Sequence, residues 1–171
     1  MNALLFGFAL IQAAGAVLGA GGAVFAEIFY LRALQDGKID DAERAHLGVV
    51  ALALRWGMLI LLVGSIGLVL TDFVYVVPVQ PALTHVYWIE MGLAFAVIFF
   101  SWALSRRKVG FVISSAAVFS GWWFLALLVF GRLPDMGFGA AIAFYIVLVA
   151  IVAALLWYLR MLTAPPAPAK L

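Results

Sequence analysis

Cysteine is absent from the 171 residues, so disulfides, thiolate metal sites and cysteine nucleophiles are excluded and thiols carry no information about redox compartment. Charge is scarce as well: Asp, Glu, Lys and Arg make up 11% of the chain, against about 25% in soluble domains. Histidine occurs only at positions 46 and 85. No Ser-His-Asp arrangement, HExxH pair or strand-linked phosphate-binding glycine loop is visible, so the sequence gives no support for an enzyme of the soluble kind. No stretch is polar enough to form a domain outside lipid. What fills the chain instead is apolar: 68% of it is hydrophobic, more than a soluble fold can hide. The expectation is an all-α integral membrane bundle whose first partner is the lipid bilayer. A formal charge of +2 then marks orientation, not nucleic-acid binding.

A spanning helix needs about 20 mostly apolar residues, and five segments qualify: Ala3 to Leu34, Leu47 to Leu70, Ala82 to Leu104, Val109 to Phe130 and Gly137 to Leu159. Residues 1–163 read as one transmembrane domain, and 164–171 as a short Pro/Ala tail. The first segment lacks a basic leader and is too long for a signal-peptide core, so it reads as a retained span. Lys and Arg fall mainly on one side, with Arg132 in the fourth connection the exception. Arg32, Lys38 and Arg44 lie in the first connection, Arg106, Arg107 and Lys108 in the third, and Arg160 and Lys170 at the C-terminal end. This bias predicts five spans with the N-terminus out and the C-terminus in, in the cytoplasmic (inner) membrane.

In the first helix Gly15, Gly19, Gly22 and Ala26 repeat at helical spacing, a stripe on which a second backbone can approach closely. Glu27 shares a neighbouring stripe with Ala16, Ala20, Ala23 and Tyr30, which suggests a helix interface. The connection from Asp36 to Glu43 imitates half of a calcium loop, but Arg32 and Leu34 occupy the first ligand positions and exclude it. Gly37 reads as a helix stop, and Asp40 or Asp41 as the next cap, with Glu43 in the first turn. Arg55 lies inside the second apolar run. An antiparallel hairpin brings it to the depth of Glu27, so the two are natural partners, since an unpaired charge there costs several kcal/mol.

The second connection contains Pro78 and Pro81, with Asp72, His85 and an aromatic belt of Tyr75, Tyr87 and Trp88. His85 reads as an interfacial histidine, with haem or metal ligation as its alternative. Glu90 lies deeper, in line with Ala94, Val97 and Ser101 and nearly opposite His85. In the fourth helix Ser114, Ser115, Ser120 and Gly121 suit interhelical hydrogen bonds and close packing.

The segment from Gln12 to Leu34, with the later run from Leu83 to Trp122, resembles the small multi-pass superfamily of copper-resistance membrane proteins and HemJ-type protoporphyrinogen oxidases. Gly21, Gly22 and Arg32 match its Gly-Gly pair and closing basic residue; Gln12 stands in place of its histidine and Ala20 in place of its aromatic. The first half is also similar to bacterial membrane proteins with a GxGGA stretch, a following acid and a DGxI turn, matched by Gly19 to Ala23, Glu27 and Asp36 to Ile39. The first resemblance implies haem binding, electron transfer or tetrapyrrole handling. From the residues themselves, the leading expectation is a protein that moves, or helps to move, a small solute or ion through an intramembrane polar set of Glu27, Arg55 and Glu90, with no cofactor. A third reading is an accessory subunit, in a homo-oligomer or a larger membrane complex.

Overall fold

A computed structural model describes residues 2–35, 40–75, 84–106 and 108–163. They form five helices: α1 (Asn2–Gln35), α2 (Asp41–Val74), α3 (His85–Ser105), α4 (Phe111–Val129) and α5 (Phe138–Thr163). Each is long and apolar enough to cross a membrane. The Gly37 stop, the Pro78 and Pro81 connection, the Arg107 turn position and the 164–171 tail lie outside the described residues.

Helix starts follow local chemistry where the apolar pattern alone misplaces them. α2 begins six residues before the apolar run at Leu47 because Asp40 caps it. The Asp40 carboxylate accepts from the Glu43 backbone N–H at 2.7 Å, and the Glu43 carboxylate accepts from the Asp40 N–H at 3.1 Å. Two otherwise orphaned donors are thereby satisfied. α3 starts at His85 with Thr84 as its cap, accepting from the Tyr87 N–H. At 34 residues each, α1 and α2 run about 51 Å, well beyond an apolar bilayer core of about 30 Å. The surplus of α2 is its charged first turns, where Asp41, Arg44 and His46 are exposed.

Successive helices run antiparallel. α1 and α2 make the most extensive pair, built on glycine. A Cβ at Gly15 would collide with the Leu61 backbone, and one at Gly64 would stand 2.5 Å from the Gln12 nitrogen. Only hydrogen fits at those positions, so the two backbones meet directly. Gly19 faces a different neighbour, the buried indole of Trp122 on α4. Gly22 packs against the Leu54 side chain.

α4 is the hub of the bundle, packed against α1, α3 and α5. Gly121 lies against Val97 of α3, and the Tyr145 hydroxyl on α5 donates to the Ala117 carbonyl at 2.9 Å. The core gathers Ala16, Ala20, Leu61, Val97, Trp122 and Phe124. Outside it, large apolar side chains are exposed on every helix: Phe6 on α1, Trp56 and Val63 on α2, Phe95 on α3, Ile113 and Trp123 on α4, and Ile146 on α5. Monomeric soluble proteins rarely expose contiguous apolar patches beyond a few hundred Å². A polytopic membrane protein meets lipid there.

Candidate functional site

Two polar layers cross this apolar interior, one towards each end. At the end where α2 finishes and α3 begins, Gln12 of α1, Ser65 of α2 and Glu90 of α3 converge. Gln12 Nε2 donates to Glu90 Oε1 at 2.8 Å and to Ser65 Oγ at 3.0 Å. Ser65 Oγ stands 2.5 Å from the same Glu90 oxygen and 3.0 Å from the Leu61 carbonyl one turn earlier. The Ser65 hydroxyl has one proton to give, so these two acceptors compete for it. Glu90 is buried, 7% exposed, about 8 Å along α3 from its first residue.

The position of each residue follows from its helix. Gly64 lets α2 lie against the backbone at Gln12, which brings the adjacent Ser65 to the same level. Glu90 shares the inner face of α3 with Ala94 and Val97, both buried, while Ser101 is exposed. Against the cluster lies a partly open cavity of about 120 Å³, with Ser65, Thr84, Tyr87 and Glu90 among its walls. Leu68 and Val86 supply its apolar side. Among the described residues no Lys, Arg or His lines it.

The second layer lies at the opposite end. Arg160 of α5 turns inward, its Nη2 donating to Glu27 Oε2 at 2.7 Å and to Ser115 Oγ at 2.8 Å. Both charged side chains are largely buried, 9% exposed for Arg160 and 13% for Glu27. The guanidinium carbon lies 5.0 Å from the Tyr30 ring centre and 4.8 Å from that of Phe111. Arg160 Nε and Nη1 are buried without hydrogen-bond partners among the described residues. The carboxylate and the two rings compensate its charge.

The expected pairing of Glu27 with Arg55 is therefore corrected. Arg55 is exposed on the outer face of α2, while Glu27 pairs with Arg160. Neither depth nor direction is shared: the register that sets Gly19 against Gly57 and Gly22 against Leu54 leaves Arg55 about six residues, roughly 9 Å, from the level of Glu27. Arg55 stands two residues from Gly57, about 200° around the helix from the face that meets α1. Nor do Glu27, Arg55 and Glu90 form one set, for Gln12 and Glu27 are separated by about 22 Å along α1. Between the two layers lie Ala16, Ala20, Leu61 and Trp122, all buried.

His85 is exposed and its Nε2 lies 2.6 Å from Asp135 Oδ1, tying the start of α3 to the connection before α5. At the other end His46 stacks on Phe29. Among the described residues no three His, Asp or Glu side chains converge to hold a metal ion. Ser114 and Ser120 are buried with unpartnered hydroxyls among the described residues; only Ser115 of the expected serines bonds across helices.

Gln12, Ser65 and Arg160 are the site residues that the expected polar set omits. Gln12 falls on the stripe of Ala16, Ala20, Ala23 and Glu27, a polar residue on a small-residue face. Arg160 continues the inner stripe of Ala141, Tyr145 and Leu156 on α5. Comparison of the chain with protein-family models, curated proteins and solved structures returns no match.

Proposed function

We infer that this polytopic membrane protein moves a small solute or ion, and that the Gln12–Ser65–Glu90 pocket is where it binds. One observation carries the reading: a buried carboxylate bonded to two helices, beside a partly open cavity and with no cationic partner there among the described residues. Ionisable groups at membrane depth are costly, and they mark substrate or ion pathways more often than they stabilise a fold. The one-sided Lys and Arg distribution supports placing that end outside, in a cytoplasmic membrane. The Glu27–Arg160 layer then closes the bundle on the inner side.

The test is solute efflux. Proteoliposomes loaded with a mixture of salts, amines and amino acids are compared with empty liposomes by mass spectrometry of the released fraction. Wild-type protein should release at least one solute, and Glu90→Gln should abolish that release while keeping the folded elution profile. Release equal to that of empty liposomes, or unchanged by Glu90→Gln, overturns the reading.

A further inference from the structure

The geometry points to a small primary ammonium ion, of methylammonium or ethylammonium size, as the ligand of the Glu90 cavity. This inference rests on the transport reading and names its substrate class. Among the described residues Glu90 is the only formally charged one on the cavity wall, and it is buried at membrane depth. At the other layer Glu27 has Arg160 as its counter-charge; at this one the described residues supply none. An anion would meet a carboxylate in a low-dielectric site, and a neutral solute would do nothing for the ionised form of Glu90, which only a cation stabilises. A cation completes the pair.

Wall chemistry then selects among cations. A bare metal ion wants oxygen on every side. Here Gln12 turns its N–H₂ to the carboxylate, a donor where a metal would need an acceptor, and Leu68 and Val86 provide an apolar side. An ammonium head donates instead. It has the Glu90 carboxylate to donate to, with Thr84 and Tyr87 among the residues lining the cavity. Both described hydrogen bonds to Glu90 go to Oε1, which directs the head to Oε2. A short alkyl tail meets Leu68 and Val86. The partly open cavity of about 120 Å³ has room for a few heavy atoms, and tetraethylammonium has no N–H to donate to the carboxylate.

The experiment is equilibrium binding of radiolabelled methylammonium to the full-length protein in detergent at constant ionic strength. Saturable binding near one site per chain is expected, displaced by ethylammonium but not by sodium or tetraethylammonium. Glu90→Gln should eliminate it, and Ser65→Ala should weaken it about tenfold. Val86→Trp, at a partly exposed position, should fill the cavity and eliminate binding in a protein whose thermal transition is retained. No saturable binding to folded wild-type protein overturns the inference, as does equal displacement by sodium or binding indifferent to both Glu90→Gln and Val86→Trp. Glu90-dependent efflux of another solute, or of protons alone, without methylammonium binding removes the ammonium assignment and leaves the transport reading standing. Methylammonium binding without efflux does the reverse.

Discussion

The two polar layers hold the same kinds of group in opposite conditions. Each has a carboxylate and a serine contributed by different helices, and each sits close to one end of the bundle. At the Arg160 layer the charges are matched, the guanidinium lies against the adjoining rings of Tyr30 and Phe111, and α1, α4 and α5 are tied together. At the Glu90 layer the charge is unmatched and space adjoins it. A matched, enclosed pair suits holding the helices in place, whereas a carboxylate with space beside it suits the binding role proposed for it.

The contrast yields predictions that run from large structural effects to small ones. Glu27→Ala leaves Arg160 buried without its carboxylate and should cost about 3–5 kcal/mol, read by denaturant unfolding in detergent micelles. The double change Glu27→Gln with Arg160→Met should recover most of that loss, because the desolvated charge is gone from both sides. Gly15→Ala should cost about 1–3 kcal/mol in the same assay, since its methyl group meets the Leu61 backbone; Gly21→Ala, with open space around it, should shift stability by no more than about 1 kcal/mol. Glu90→Gln keeps an oxygen for Gln12 and Ser65 to donate to, so its stability should change by about 1 kcal/mol or less while efflux is lost. Arg55→Gln, on the outer face of α2, should leave efflux unchanged and stability within about 0.5 kcal/mol.

The spans, the close approach at Gly15 and the inward direction of Glu27 and Glu90 were legible because each is a property of one helix and its period. Asp40 was legible for a related reason: its capping box closes within four residues. The partner of Glu27 was not. Arg160 lies 133 positions away, and its place near the end of an apolar run gives it the pattern of an interfacial anchor. Only its alignment with Tyr145 and Leu156 on the inner face of α5 distinguishes it. Gln12 was hidden differently. A single amide in an apolar helix is unremarkable until α2 and α3 bring Ser65 and Glu90 to it, and that meeting depends on how Gly64 sets the helix contact.

The division of roles between the layers is tested most directly by efflux from proteoliposomes carrying either Glu90→Gln or the paired change Glu27→Gln with Arg160→Met, at equal amounts of folded protein. The account predicts that Glu90→Gln abolishes release while the paired change retains most of it. Release that survives Glu90→Gln but fails when the Arg160 layer is neutralised would place the site at the other end of the bundle and contradict it.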